Sequence, residues 1–274
     1  MIPRKMHIDF SNTPVHWAPQ SAFATSNNAS SPIASAFEPY LNRIMARVRD
    51  TLPASKSKLK ADIDLFIAQE GHHYGVHNGF NKILYAAYPG LRKFGKDLAA
   101  ELDRQAEEAS LEYNMAWCCG FENLACYMAK FTFTKSLRWF EGADPRVRTL
   151  FLWHNAEEFE HRTACNDAFQ ALSGSYALRI RGFVTSMKTI MTYHKNMIAH
   201  ISEIDRATMS PEERAASERF ENAYNRQFSA YVFPRMAQIF LPNYDPWRQR
   251  APAALHQALD EYEQLTLRRE PVAA

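Results

Sequence analysis

The sequence is poor in glycine, with nine in 274 residues. No GxGxxG or GxxxxGK[ST] run occurs, so a nucleotide cofactor cradled by backbone amides is not indicated. Cysteine is sparse too. Cys118, Cys119, Cys126 and Cys165 lack CxxC spacing, and two of them are adjacent in an apolar run. That argues against a zinc finger or disulfide scaffold and reads as buried free thiols. No uncharged stretch approaches the ~20 residues of a membrane span. The opening MIPRKMHIDF lacks the apolar run of a secretory signal, so the expected location is the cytoplasm. Lysine and arginine form no block and the formal net charge is only +2, which gives no footing for nucleic acid. Alternating apolar and polar runs that would mark strands are absent as well.

What is present is helical periodicity. With 46% apolar residues, the chain is long enough to bury a substantial core. Residues 1–35, with the Ser/Asn/Ala-rich stretch SAFATSNNASSPIAS, read as an irregular lead-in, and 36–274 as one helical domain. Apolar spacing near 3.6 predicts helices over 37–50, 54–87, 92–107, 109–136, 145–172, 176–204, 211–239 and 251–267. The punctuation agrees. Tyr88-Pro89-Gly90 breaks the second helix, Asp144-Pro145 opens the fifth, and Ser173-Gly174 stops it. Ser210-Pro211-Glu212-Glu213 has the form of a capping box.

Two segments carry the chemistry. In Phe66–His77 (FIAQEGHHYGVH), Glu70, His73 and His77 sit at offsets 0, 3 and 7. In Trp153–His161 (WHNAEEFEH), His154, Glu158 and His161 sit at offsets 0, 4 and 7. At 100° per residue each trio falls within an arc of roughly 60° on one helix face. One Glu-x-x-His arises often by chance. Two of them, on separate long helices and each with another histidine in register, do not.

In carboxylate-bridged two-metal bundles, two helices each supply a Glu-x-x-His and the other two each supply one Glu. Hard carboxylate oxygens bridge and neutralise two cations, and neutral imidazoles complete the coordination. The pattern therefore asks for two further glutamates. Glu122 stands alone in the apolar run MAWCCGFENLACYM, where an unpaired carboxylate would be costly. Glu38, in Phe37-Glu38-Pro39-Tyr40, is the other candidate. Pro39 disfavours helical geometry at the preceding residue, so Glu38 is expected in a first helical turn.

Blander readings fit the neighbours. Glu157 could replace Glu158 but lacks its i, i+3 partner. Glu160 reads as solvent-facing and His72 as an outer or surface group, while His194 and His200 read as core or surface histidines. Met187, Met191, Tyr193 and Met197 form a stripe for packing or for lining a substrate cavity.

The whole is thus expected to be all-α, a ferritin-like helical bundle with additional C-terminal helices: a metal-binding bundle over 37–172, then helices over 176–267. FIAQEGHHYGVHNGFN resembles the FIxQExxHxxxHxxFN block of the bacterial predicted metal-dependent hydrolases, and WHNAEEFEHRTACNDAF resembles their WHxxEExEHKxxAFD block. FEPYLNRIM is similar to their GExFFxRxxR block, with Glu38 on the glutamate. Gly120-Phe-Glu122-Asn resembles their LExxTA helix; Pro39 and Asn123 depart from the pattern. The resemblance runs from Phe37 to Leu172. The order Glu38, Glu70, His73, Glu122, His154, Glu158, His161 is also similar to the ligand order of the di-iron p-aminobenzoate N-oxygenases, in which His77 has no counterpart, which leaves His77 as an additional ligand or an outer group.

These resemblances imply a metal set of Glu38, Glu70, His73, His77, Glu122, His154, Glu158 and His161, holding two iron ions, with manganese or a mixed pair as variants. Glu70, Glu122 and Glu158 are the bridging, catalytic candidates. The expected function is an oxygenase or oxidase that uses O2 and an external electron donor on a small organic substrate, with Trp117, Phe121 and Tyr127 as an apolar wall. The alternative is a dinuclear metal-dependent hydrolase, and a third reading is a non-catalytic iron-binding protein. The residues after Gly174 would form a cap, a pocket wall or a homodimer interface.

Overall fold

The computed structural model describes residues 1–268 and Val272. Its eight α-helices are α1 (Ser21–Thr51), α2 (Ser57–Ala87), α3 (Leu91–Glu108), α4 (Leu111–Phe131), α5 (Pro145–Leu172), α6 (Tyr176–Ala207), α7 (Pro211–Met236) and α8 (Ala253–Arg268). Among the described residues there is no strand, only an isolated bridge between Ile8 and Val272. The all-α expectation holds. No described helix is long and apolar enough to cross a membrane.

The caps explain the boundaries. Ser110, Asp144 and Ser175 each accept a backbone N–H from the first turn of the helix they open, and Ser210 with Glu213 completes the capping box. Gly174 leaves α5 with φ +62°, a conformation that suits glycine.

The largest departure is α1. It begins at Ser21, within the stretch read as irregular, and runs through both Pro32 and Pro39. Glu38 therefore lies deep inside a long helix, not in a first turn. Each proline removes one helical hydrogen bond. Burial of Phe23, Phe37, Leu41, Ile44 and Val48 on this one helix outweighs that loss. Asn81 of α2 also donates to the Ser31 carbonyl and the Ser35 hydroxyl, in the span between the two prolines. The remaining lead-in is irregular but packed, with Arg4, Met6, Phe10 and Trp17 all buried.

Helices α1, α2, α4 and α5 surround the main core, which holds Phe37, Phe66, Trp117 and Trp153. Helix α6 packs tightly on α4 because glycines face each other's backbones there. A Cβ on Gly182 would lie 2.4 Å from the Ala116 carbonyl, and one on Gly120 would lie 2.6 Å from Phe183 Cα. A second, smaller cluster joins Leu124, Tyr127 and Phe131 of α4 to Phe183 of α6 and Val232 and Met236 of α7. Beyond Phe131, α4 widens into a π turn over Thr132–Ser136, where regular helix was expected.

Candidate metal centre

Each of the four core helices turns part of its chemistry inward, and two groups of side chains result. Glu70 (α2), Glu122 (α4), Glu158 and His161 (α5) offer ligand atoms within 4.8 Å of one another, and all four are buried. Glu38 (α1), His73 (α2) and His154 (α5) form the second group. Glu158 Oε1 links them: it lies 3.6 Å from His161 Nδ1, 3.7 Å from His73 Nδ1 and 2.8 Å from His154 Nε2.

The ring orientations follow from outer partners. The outward Nε2 of His73 meets Glu157 Oε2 at 2.9 Å. The outward Nε2 of His161 meets the Gln69 carbonyl oxygen at 3.2 Å. His154 instead turns Nε2 inward, and its Nδ1 is hydrogen-bonded to His77 Nε2. His77 Nδ1 in turn meets the Ser31 hydroxyl at 2.8 Å. Both His77 nitrogens are thus occupied, and His77 joins neither group. Of the two readings left open for His77, an additional ligand or an outer group, its contacts with His154 and Ser31 favour the outer group. Arg4 bonds both Glu157 and Glu160, at 3.0 and 3.2 Å, and Glu160 accepts from Gln69 at 2.9 Å. Glu160 is accordingly tied into this network and not simply solvent-facing. Such partners fix ring orientation and ligand basicity.

Whether a cation suits this site can be tested on its unsatisfied atoms. Both carboxylate oxygens of Glu38, Glu70 and Glu122, with Glu158 Oε2, His73 Nδ1 and His161 Nδ1, are buried without a hydrogen-bond partner. His161 Nδ1 comes within 2.8 Å of Glu70 Oε1 but is not aligned to donate to it. Buried polar atoms are rarely left so, because each lost partner costs about 1–3 kcal/mol. Here they converge on one another, as ligands around a cation do.

The electrostatics point the same way. Burial, then the charge of Glu70, holds Glu38 well above the usual carboxylate range. Burial, then Glu158, does the same to Glu122. For Glu70 and Glu158 burial also pushes upward, but the imidazolium of His161 outweighs it, and Glu158 ends well below the usual range. Burial would lower His161, yet the carboxylates of Glu70 and Glu158 drive it well above the ordinary imidazole value. His73 is pushed up to about 10: burial lowers it, and the hydrogen bond to Glu157 with the nearby charge of Glu70 outweighs that. Protons on Glu38, Glu122, His73 and His161 supply the positive charge that the cluster of carboxylates demands. Divalent ions can supply it instead. The residues fit a metal.

A family model for predicted metal-dependent hydrolases matches residues 2–250. The chain belongs to this family. The match reaches well beyond the Phe37–Leu172 stretch on which the sequence resemblance rests. It takes in the Arg4 segment and the helices α6 and α7. No curated protein and no solved structure matches the chain. For this member of the predicted metal-dependent hydrolases, the carboxylate–histidine groups could bind metal ions.

A cavity of about 990 Å3 reaches His154 and Glu158. Its lining includes apolar side chains, Ile33, Phe121, Leu124, Ala125 and Phe151, and polar ones such as Ser30, Thr132 and Asn155. Of the expected wall residues, Phe121 lines the cavity, whereas Trp117 packs with Phe37 and Tyr40 and Tyr127 lies in the second core cluster. Met187 and Met191 line it too, while Met197 is buried in the core. His194, read as core or surface, also lines the cavity, with Nε2 donating to the Ser26 carbonyl. Arg4, Gln69 and Ser31 were missed. No motif marks Arg4 or Ser31, and Gln69, though it stands on the glutamine of the FIxQExxH block, was given no role there.

Proposed function

We propose that the protein is a dinuclear metal-dependent hydrolase acting on a small, largely apolar molecule. The supporting observation is the pair of ligand groups that share Glu158 at the inner end of a cavity. Glu70, Glu122, Glu158 and His161 would hold one ion, and Glu38, His73 and His154 the other. Bound there, two cations supply Lewis acidity and make water a nucleophile near neutral pH. The chain's residues do the rest. His154 and Glu158 are the members of the two groups that line the cavity, so substrate meets the centre at these two. The His77–Ser31 pair holds His154 in one orientation. Glu157 and Gln69 do the same for His73 and His161. The apolar wall keeps bulk water from the reacting bond and orients the substrate's apolar part.

A second reading is oxidation of an organic substrate with O2 and an external electron donor. One observation favours it: aromatic and aliphatic side chains, Phe121, Leu124 and Phe151 among them, line the cavity that His154 and Glu158 reach. The two readings separate cleanly. The purified chain is loaded with Zn2+, Mn2+ or Fe2+ and assayed against ester, amide and phosphoester panels, once without oxygen and once with O2 and a reductant. Hydrolysis supported by redox-inert Zn2+ is the expected result. Turnover that requires Fe2+ and consumes O2, with no hydrolysis under any metal, overturns the hydrolase.

A further inference from the structure

Helices α6 and α7 are consecutive and antiparallel, and they meet near the two ends of α6. Phe183 at the start of α6 packs with Val232 and Met236 at the end of α7. Arg206 near the end of α6 pairs with Glu221. Between these two points the helices stand apart, α7 resting on α4 and α1, and the cavity fills the gap. On α6 the lining residues run from Met187 to Arg206 as one face. At the helical rise that face is about 28 Å long.

Its character changes along its length. The inner part, beside His154 and Glu158, is lined by Leu124, Met128, Met187 and Ile190. The middle carries Ile198, Tyr224 and Phe228. The outer end carries Glu203 and Glu218, both exposed, beside the Arg206–Glu221 pair. A compact substrate would use only the inner third of such a cleft. Thioether side chains at Met128, Met187 and Met191 suit a flexible apolar occupant better than a rigid one.

We propose that the cleft binds a linear amphiphile, with its apolar stem along α6, its reacting end at His154 and Glu158, and a polar head at the charged outer end. The assignment of the reacting end rests on the cluster being the reactive centre. The binding of a long stem does not.

The test uses the full-length, metal-loaded protein and straight-chain primary alcohols of four to ten carbons, displacing anilinonaphthalene sulfonate. Each CH2 entering an apolar cavity is worth about 0.8 kcal/mol, close to a fourfold gain in affinity. Affinity should rise about fourfold per carbon through the whole series. Met191→Trp, at a side chain 45% exposed and so tolerant of replacement, should weaken the ten-carbon alcohol at least tenfold, as should Ile198→Trp. A plateau by six carbons would assign a compact substrate and overturn the proposal. So would a series that neither tryptophan alters, because the alcohols would then bind elsewhere. A protein that hydrolyses short esters without chain-length dependence keeps its function and loses this proposal. One with full chain-length dependence and no hydrolysis does the reverse.

Discussion

The two ligand groups differ in composition and in depth. Glu70, Glu122, Glu158 and His161 make three carboxylates to one imidazole, all buried. Glu38, His73 and His154 make one carboxylate to two imidazoles, and the His154 side chain is 15% exposed toward the cavity. Carboxylates neutralise charge, so the deeper group suits a tightly held ion with a structural and bridging role. The nitrogen-rich group carries less negative charge and borders the cavity. In the proposed dinuclear centre, one side would retain its ion and the other would present one to substrate.

His161→Ala should break the deep group most severely. It removes one metal equivalent per chain and leaves Glu70 as a buried charge without its counter-charge. The metal-free form should lose about 3–5 kcal/mol of stability, measured by denaturant unfolding. His154→Ala should also remove one equivalent, by elemental analysis. Its cost in stability should be smaller, because His154 lies at the cavity edge and burial depresses its pKa.

The pH dependence sharpens the contrast between filled and metal-free states. Glu38 and Glu122 sit above their ordinary value. Their stabilising effect is full below about pH 4.5 and is lost as pH rises. His161 and His73 are also raised. Their contribution is full below about pH 6.5 and is lost as pH rises through the folded value, about 10 for His73. Both effects have one sign, so the Tm of the chelated protein should fall from pH 6 to pH 8.5. Metal binding needs these ligands deprotonated, so the Tm of the loaded protein should hold or rise over the same range.

Smaller effects test the outer partners. His77→Ala should keep both metal equivalents and lower affinity about 10–100-fold, as loss of an outer partner does. Arg4→Met should lower affinity toward the bottom of that range, since Arg4 acts through Glu157 and Glu160. Competition with a chelator of known affinity measures both.

Much of the centre was legible because a helix repeats. Offsets of three, four and seven residues sufficed to bring Glu70 and His73, and His154, Glu158 and His161, to one place. Glu122 was legible for a different reason: no other carboxylate stood in its apolar run. His77 shared the same helical face, but the face alone does not tell a ring that lines the centre from one that props it. That difference depends on Ser31, on a helix the prolines had concealed. Arg4 left no trace because its partner lies 153 residues away; Gln69 stood on the glutamine of a recognised block, but its partner, 92 residues away, gave its role no signal. The cleft was equally invisible, since periodicity places an apolar face on α6 and α7 without saying whether those faces touch.

The most direct test of the account is a crystal of the metal-loaded protein with anomalous data on either side of the metal's absorption edge. The account predicts two peaks per chain, one among Glu70, Glu122, Glu158 and His161 and one among Glu38, His73 and His154, with His77 still on His154. A single peak, or a peak ligated by His77, would contradict it.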